Sequence, residues 1–284
     1  MSRIVYVNGE FLPADEASIS IFDRGFLFAD GVYEVVPVLN GRLIDNDPHL
    51  ARLRRSMDEL DMPAPCSDAE IESAELELVQ RNELVNGLIY LQVTRGSAER
   101  DFAYPANPKP SLVMLTQVKN PTETDSFKHG IRVISVPDIR WKRRDIKTIG
   151  LLAPCMAKME AKRAGVDDAW MVEDGFVTEG SSNNAYIVTH EGVIITRHLG
   201  PEILAGITRQ VLLTVLEDSE IRLEERPFSI EEAHAAAEAF LTSATTFVTP
   251  VIEIDGKPIG NGEPGPVTRQ LQTLYTRVAF EQAG

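Results

Sequence analysis

The chain has 284 residues, of which 43% are hydrophobic and 25% are charged, and its formal net charge is −15. This composition is typical of a folded globular protein, and the acidic balance argues against non-specific nucleic-acid binding, because phosphates require cationic surface. Its two cysteines, Cys66 and Cys155, exclude a disulfide framework or a four-cysteine zinc site. No stretch approaches the ~20 apolar residues of a membrane span, and the N-terminus lacks a long apolar segment. We therefore expect a cytoplasmic protein that binds neither nucleic acid nor membrane.

The N-terminal region predicts hairpins followed by two helices and two more strands. Asn8-Gly9 and Asn40-Gly41 each separate apolar runs and are typical hairpin turns. The next segment, NDPHLARLRRSMDEL, predicts a helix with Asn46 or Asp47 as its N-cap and Pro48 in its first turn. Its apolar stripe consists of Leu50, Leu53, Met57 and Leu60. The remaining predictions are a helix over about 68–84 and strands near 88–94 and 112–118.

The C-terminal region mixes strands and helices without a regular alternation. A hairpin is predicted at Asp174-Gly175, and Ser229 with Glu232 forms a capping box. Strands are predicted at 131–136, NAYIV, VIITR, AFLTS and PVIEIDG, and helices at about 153–164, GITRQVLLTVLE and 267–280. We predict an α+β protein of two α/β domains. The boundaries are residues 1–119 for a small N-terminal domain, 120–130 for a polar linker and 131–284 for a larger C-terminal domain.

Lys147 is the first candidate for chemistry. It lies between Ile146 and Thr148, close to the cations Lys142, Arg143 and Arg144. Neighbouring positive charge and partial burial both lower the pKa of a lysine, and a neutral amine can form a Schiff base with a carbonyl. From the residues alone, a basic strand end in water explains the same pattern.

Four other segments contain candidate ligands, and each also has a plain structural explanation. Glu179 in VTEGSSNN could pair with a protonated ring nitrogen or simply begin a turn. Gly206 and Thr208 in LAGITRQ begin a helix whose free N–H groups could receive a phosphate. The hydroxyl-rich LTSATT could supply a second anion contact, and Arg95 and Arg100 could grip a carboxylate.

The predicted helix after Asn46 carries three further arginines, and periodicity does not distinguish Arg52 from Arg54 or Arg55 as a ligand. No metal-ligand spacing, GxGxxG motif or nucleophile–base pattern of a hydrolase occurs.

Six segments in one order resemble the fold-type IV pyridoxal-phosphate enzymes, most closely the D-amino-acid transaminases. They are DRGFLFADGVYEV (23–35), Arg52, RRDIK (143–147), VTEGSSNN (177–184), LAGITR (204–209) and LTSATTFVTPV (241–251). The resemblance covers essentially the whole chain. It implies a pyridoxal 5'-phosphate cofactor at the domain interface, a ping-pong transfer from a D-amino acid such as D-alanine to a keto acid such as 2-oxoglutarate, and a homodimer.

The resemblance also implies residue roles. Lys147 would join the cofactor through a Schiff base, and Glu179 would keep the pyridine nitrogen protonated. The phosphate would be held by Arg52, Thr208 and the N–H of Ile207, with Ser243 and Ala244 at the strand end that supports it. Leu204 would press on the ring, and the substrate would be bound by Tyr33, Val35 and Arg100. The resemblance also implies that the loop containing Arg100 reaches across the dimer interface.

Three residues differ from the pattern of the D-amino-acid transaminases, and these differences affect the expected substrate more than the expected cofactor. Phe102 stands where such enzymes tend to have histidine in Arg-x-His, Pro37 stands where a lysine is frequent, and Ala244 replaces a common threonine. Same-fold alternatives therefore stay open: a branched-chain L-amino-acid transaminase, an (R)-amine transaminase or an aminodeoxychorismate lyase. A non-catalytic binding protein is the alternative from another class.

Overall fold

The computed structural model describes residues 2–217 and 221–284. Contacts divide the chain into two compact units. Unit 1 comprises Met1–Asn120, Ile146–Gly150 and Ala279–Gly284, and unit 2 comprises Pro121–Asp145 and Leu151–Val278. The sequence-based division differs, because it places residues 146–150 and 279–284 in the C-terminal domain and residues 120–130 in a linker.

Unit 1 is built on a six-stranded antiparallel sheet of order β2-β1-β6-β5-β3-β4. Its strands are β1 (Ile4–Val7), β2 (Glu10–Pro13), β3 (Gly31–Leu39), β4 (Arg42–Leu43), β5 (Gly87–Thr94) and β6 (Ser111–Val118). Its helices are α1 (Arg24–Phe28), α2 (Asn46–Asp58) and α3 (Asp68–Arg81). The two predicted Asn-Gly turns are confirmed, since they join β1 to β2 and β3 to β4. The apolar stripe of α2 packs with α3 and the sheet into one core.

The predicted cap of α2 is wrong. Asn46 is the first helical residue, and the N-cap is Asp45, which lies in the left-handed region at φ 54° without a side-chain cap hydrogen bond. Its backbone N–H donates to Gln282 Oε1 at 2.9 Å, and its carboxylate accepts from Gln282 Nε2 at 2.8 Å. A partner 237 residues away in the sequence therefore engages the groups that a local capping rule assigns to the helix start.

The segment that contains Lys147 runs beside the start of β3. Lys147 C=O accepts from Tyr33 N–H at 3.0 Å, and Ile149 N–H donates to Gly31 C=O at 3.1 Å. Lys147 N–H donates to Ser56 Oγ of α2 at 3.3 Å, and Ile146 is buried in the core of unit 1. The backbone of Lys147 is therefore fixed on both sides by hydrogen bonds that do not involve its side chain.

Unit 2 is built on a nine-stranded mixed sheet of order β12-β11-β10-β13-β14-β7-β8-β9, with β15 paired to β14. Its strands are β7 (Ile131–Pro137), β8 (Asp168–Glu173), β9 (Phe176–Gly180), β10 (Asn184–Val188), β11 (Ile194–Thr196), β12 (Leu223–Glu225), β13 (Glu238–Ser243), β14 (Phe247–Ile254) and β15 (Lys257–Pro258). Its helices are α4 (Asp125–His129), α5 (Leu152–Arg163), α6 (Ile207–Glu217), α7 (Ile230–His234) and α8 (Pro266–Gln282), the last of which ends in unit 1. The predicted Asp174-Gly175 hairpin and the Ser229–Glu232 capping box are both confirmed, as is the mixed α+β content.

The segment expected to be only a polar linker contains α4. Thr124 caps this helix by accepting a hydrogen bond from Phe127 N–H, and Phe127 C=O accepts from Gln272 Nε2 of α8 at 2.9 Å. The segment is thus part of unit 2. Among the described residues, no helix is long and apolar enough to cross a membrane. Within the same residues, no group of His, Cys, Asp or Glu side chains is placed to hold a metal ion.

Candidate active site

The Lys147 amine lies on the face of an aromatic ring. Its Nζ is 4.2 Å from the centroid of the Tyr33 ring, and its side chain is half-buried. Nζ forms no hydrogen bond or ion pair with any residue in the described ranges 2–217 and 221–284. Tyr33 in turn stacks on Tyr90, with ring centroids 5.5 Å apart. The amine is therefore placed by packing and by a cation–π contact, and its lone pair or protons are not used by another side chain.

Strand β3 presents different chemistry on its two faces. Side chains alternate along a strand, so Tyr33 and Val35 share one face while Glu34 points to the other. Tyr33 and Val35 are half-buried, and Glu34 is fully buried. The structure thus brings the predicted Tyr33 next to Lys147 and places Val35 two residues further along the same face.

The predicted Arg52 is part of a buried triad on α2 and β3. Glu34 Oε1 accepts from Arg52 Nε at 2.7 Å, and Glu34 Oε2 accepts from Arg52 Nη2 and lies 2.7 Å from His49 Nδ1. Burial alone raises the pKa of Glu34, but the Arg52 charge and the Arg52 and His49 hydrogen bonds outweigh it, so the pKa lies well below its ordinary value. Burial lowers the pKa of His49, which is consistent with a neutral imidazole donating from Nδ1. Arg54 and Arg55 reach more solvent than Arg52.

Arg100 lies on the loop between β5 and β6. Its guanidinium carbon is 5.2 Å from the centroid of Phe28 and 5.6 Å from that of Phe102, and these two rings are 5.6 Å apart. Phe102 is 80% exposed. The residue that replaces the expected histidine therefore supplies no donor and instead provides an aromatic surface beside the arginine.

Glu179 at the end of β9 is buried and receives three hydrogen bonds. Its Oε2 accepts from Asn184 Nδ2 at 3.0 Å and from Leu204 N–H at 3.2 Å, and its Oε1 accepts from Arg140 Nη1. All three partners are donors, which is the arrangement of an ionised carboxylate. Gly206 allows this geometry, because a Cβ there would lie 2.2 Å from Asn184 Oδ1.

Arg140 links Glu179 to a second carboxylate. Its Nε and Nη2 bind the two oxygens of Asp138 at 3.0 and 2.6 Å, and Asp138 also accepts from Thr178 Oγ1 at 2.7 Å. Burial raises the pKa of Glu179 above its ordinary value, and the Arg140 charge and hydrogen bond oppose that rise. The fixed guanidinium thus keeps Glu179 oriented and reduces the cost of its charge in the interior.

The predicted phosphate ligands of unit 2 lie at the start of α6 and at the turn between β13 and β14. Ile207 and Thr208 are buried in the first turn of α6, where backbone N–H groups lack helical acceptors. No hydrogen bond from the described part of the chain reaches the Thr208 hydroxyl. Ser243 Oγ accepts from Thr246 N–H at 3.2 Å and lies 2.8 Å from Thr246 Oγ1, so it stabilises the turn that contains Ala244.

Comparison with known proteins identifies the family. The model of the amino-transferase class IV family matches residues 31–254. A D-alanine aminotransferase of Bacillus licheniformis is 40% identical over 280 residues, 98% of both chains, and one of Staphylococcus aureus (strain MSSA476) is 39% identical over 274 residues, 96% of both chains. The chain is a class IV aminotransferase.

Solved structures agree with this assignment at the level of the fold. The branched-chain amino acid aminotransferase of Escherichia coli superposes with a TM-score of 0.91 at 21% identity, covering 98% of this chain and 95% of that one. A branched-chain aminotransferase of the thermophilic archaeon Thermoproteus uzoniensis, solved with norvaline, superposes with a TM-score of 0.88 at 26% identity, covering 99% of this chain and 96% of that one. The predicted resemblance is therefore confirmed for the family, and pyridoxal-phosphate-dependent transamination is its chemistry.

Several side chains that organise this aminotransferase's candidate site were not predicted. Glu34 had a detectable signal, because a carboxylate inside the apolar strand VYEVV is unexpected unless it is paired. His49 lies three residues before Arg52, which puts both on one face of α2. Arg140 and Asn184 had no such signal, since their contacts with Glu179 depend on tertiary placement.

Proposed function

We propose that this class IV aminotransferase transfers the amino group of a D-amino acid, such as D-alanine, to a keto acid such as 2-oxoglutarate, using pyridoxal 5'-phosphate bound through Lys147. The observation that carries the proposal is the Lys147 amine, half-buried on the face of Tyr33 and without a hydrogen-bond partner among the described residues. The D-alanine aminotransferases that align over nearly the whole chain support the choice of substrate class.

The residues present fit the cofactor. Lys147 supplies an amine whose backbone is held independently of its side chain, so Nζ can leave and return to a carbonyl without disturbing the fold. Pyridoxal phosphate supplies a conjugated ring that absorbs the electrons of a substrate carbanion, and a protonated ring nitrogen strengthens this effect. Glu179, held by three donors, is suited to stabilise that proton. Leu204 donates one of those hydrogen bonds through its N–H and is proposed to pack against the ring.

Each group proposed for the phosphate is of a type that binds an anion. The Thr208 hydroxyl has no hydrogen-bond partner among the described residues, so it can bind a ligand. The N-terminus of α6, including Ile207 N–H, favours an anion. Arg52 contributes positive charge in a side chain whose orientation is fixed by Glu34. Ser243 and Ala244 are proposed to contribute through the turn that they form, chiefly by backbone N–H groups.

In this proposal Lys147 acts in turn as base and acid. After a substrate amine has taken its place, the Lys147 amine removes the proton from the substrate Cα and later delivers a proton in the same site. Tyr33 limits the positions available to that amine, because Nζ already lies on its ring. Arg100 and Tyr33 are proposed to bind the substrate carboxylate, with Val35 beside them. A second keto acid reverses the sequence, so ping-pong kinetics are expected.

A homodimer is part of the proposal. The surface around the Arg100 loop exposes apolar side chains, including Ile21 at 70%, Phe26 at 75% and Phe102 at 80%. Exposed apolar patches of this kind mark interaction sites. In the proposed dimer, the Arg100 loop serves the site of the partner subunit. The two cysteines are free thiols, which suits the reducing cytoplasm proposed as the location.

The test is a visible spectrum followed by single half-reactions. We expect the purified enzyme to be yellow, and borohydride to bleach the band and fix the cofactor on Lys147. Mixing the yellow enzyme separately with paired D- and L-amino acids and with (R)- and (S)-amines should bleach the band fastest with a D-amino acid. A colourless protein that stays inert after cofactor is added would indicate a binding protein, and faster decay with L-amino acids would refute the proposed stereochemistry.

A branched-chain L-amino-acid transaminase is the second candidate. The superposed branched-chain aminotransferases and the replacement of a donor by Phe102 favour it, although their identities of 21% and 26% are well below those of the D-alanine aminotransferases. The half-reaction screen separates the two, and it also separates both from an (R)-amine transaminase. A lyase is distinguished by pyruvate release without an acceptor keto acid.

Replacing Arg100 with alanine is expected to raise KM for amino acids about 10- to 100-fold, since a charge-assisted hydrogen bond contributes about 1.5–3 kcal/mol. KM for an amine without a carboxylate should change little. Steady-state kinetics with both substrates measure the difference, and Arg81→Ala, a half-exposed arginine of α3, is the control. An equal effect of Arg100→Ala on both substrates would remove Arg100 from the carboxylate site.

A further inference from the structure

Two buried arginines of unit 1 share a single carboxylate oxygen. Arg24 and Arg95 are 3% and 1% exposed, and their Nε atoms lie 2.7 and 2.8 Å from Asp30 Oδ2. A buried guanidinium is costly unless it is paired. Asp30 is therefore the counter-ion that makes the burial of both side chains tolerable.

The other donors of Arg24 bind the loop that contains Arg100. Arg24 Nη1 donates to the carbonyl oxygen of Asp101 at 2.6 Å and lies 3.4 Å from that of Ala103. These two carbonyls flank Phe102, and Asp101 directly follows Arg100 in the chain. Arg24 thus fixes the backbone immediately beyond Arg100, and its own direction is fixed by Asp30.

Arg95 contacts the same loop at Tyr104. Its guanidinium carbon lies 3.5 Å from the centroid of the Tyr104 ring, and its Nη atoms donate to the carbonyls of Leu60 and Asp61, directly beyond α2, at 2.8 and 2.9 Å. The loop is thereby tied to the C-terminal end of the helix on which Arg52 lies.

The first residues of the loop are fixed as well. Arg24 N–H donates to Gly96 C=O at 2.9 Å, and Ala98 N–H donates to Phe22 C=O at 3.2 Å. Gly96 has a φ of 86°, and a Cβ there would lie 1.8 Å from Lys109 C=O, so only glycine fits. Both ends of the segment 96–104 are therefore anchored, and Arg100 lies between the anchors.

We propose that Asp30 is a positioning residue, which holds Arg24 and Arg95 in the orientation that fixes the loop and so determines where Arg100 presents its guanidinium. The consequence for substrate binding rests on the proposed role of Arg100 toward a carboxylate. The proposal that Asp30 fixes the loop is independent of that role, because it concerns only contacts within unit 1. A charge-neutral residue at position 30 would leave two buried guanidinium groups without their shared anion, and the loop carbonyls would lose their fixed donors.

The experiment uses Asp30→Asn, which preserves size but removes the charge, in the full-length holoenzyme. Hydrogen–deuterium exchange of peptides covering residues 97–105 is expected to rise at least about 10-fold, while peptides in β5 covering residues 88–93 stay protected. KM for a D-amino acid is expected to rise about 10-fold, and kcat and the KM for a simple amine should change less than about threefold.

A matched control and a double-mutant cycle separate positioning from an unspecific effect of changing a buried acidic side chain. Glu75→Gln replaces another buried carboxyl group of unit 1, whose printed hydrogen bond is to Asn46 and not to the loop, and it should leave both exchange at 97–105 and KM unchanged. If Asp30 acts through Arg100, the variant Asp30→Asn/Arg100→Ala should have the KM of Arg100→Ala alone.

Each outcome decides the proposal. Unchanged exchange at residues 97–105 in folded Asp30→Asn overturns it, whatever the kinetics. Raised exchange, with Arg100→Ala having no selective effect on carboxylate substrates, keeps the positioning role and refutes the proposed function of Arg100. If Asp30→Asn does not fold, Arg24→Lys keeps the charge but loses the donor to the Asp101 carbonyl, and the same exchange measurement then supports or overturns the proposal.

Discussion

Replacing Lys147 with alanine is expected to lower kcat at least about 1,000-fold, because the proton transfers assigned to its amine have no substitute among the neighbouring side chains. The protein should remain folded, since the hydrogen bonds of this segment to Ser56, Tyr33 and Gly31 involve only the backbone of residues 147 and 149. Kinetic assays of both half-reactions measure the loss, and circular dichroism and thermal unfolding verify the fold.

Two further measurements make this result specific. Lys142→Ala removes a nearby lysine that is 78% exposed and paired with Glu173, and it should retain nearly full activity. Methylamine added to Lys147→Ala should restore part of the rate by replacing the missing base. Full activity of Lys147→Ala, or an equal loss in Lys142→Ala, would show that the amine at position 147 does not perform the chemistry.

The second large effect concerns stability, at a buried carboxyl that the proposed reaction does not use. Asn46 Nδ2 donates to Glu75 Oε2 at 3.0 Å, while Asn46 Oδ1 and Glu75 Oε1 are buried without a hydrogen-bond partner. A protonated Glu75 has an O–H that can donate to an acceptor such as Asn46 Oδ1, whereas an ionised Glu75 has only acceptors. Burial raises the pKa of Glu75 to about 8, although the Asn46 hydrogen bond opposes the rise. The nearby charges of Glu72 and Glu34 also contribute to this rise.

This raised pKa determines how stability depends on pH. Below the unfolded-state pKa of 4.5, Glu75 is protonated in both states and its contribution is complete. As pH rises toward about 8, the unfolded state loses its proton while the folded state keeps it. The contribution of Glu75 to the free energy of unfolding therefore falls across this window, by at most about 1.36 kcal/mol per pH unit.

Glu75→Gln should abolish this loss, because a neutral amide can donate to Asn46 Oδ1 and accept from Nδ2 at every pH. At pH 8 we expect the variant to unfold at a higher temperature and denaturant concentration than the wild type, with the difference disappearing near pH 4.5. Glu77→Gln is the control, because Glu77 is a partly exposed residue of the same helix and its charge is not among those that raise the pKa of Glu75. A destabilised Glu75→Gln at pH 8 would show that the carboxyl is ionised and paired in the native state.

Much of the local structure was predictable because it depends on neighbouring residues. The three Asn-Gly or Asp-Gly turns connect the strands that the pattern predicted, and the stripe of α2 is buried as its periodicity required. The family followed from motif order, which placed Lys147 and Glu179 as candidates. The boundaries between the two units were harder to predict from the sequence, because residues 146–150 pack with unit 1 although the chain on both sides of them belongs to unit 2.

The sequence by itself determined the strand turns, the amphipathic helices and the residue types able to perform the chemistry, since these properties arise within a few residues of the chain. Only the tertiary structure decided which of three neighbouring arginines is buried with Glu34, that Gln282 binds the α2 cap, and that Arg140 holds Glu179. Only the tertiary structure also decided that Asp30 pairs with Arg24 and Arg95. The arginine–carboxylate contacts join largely buried charges that need a partner, whereas Gln282 is exposed. In every case the partner is set by proximity in the fold, which residue spacing does not encode.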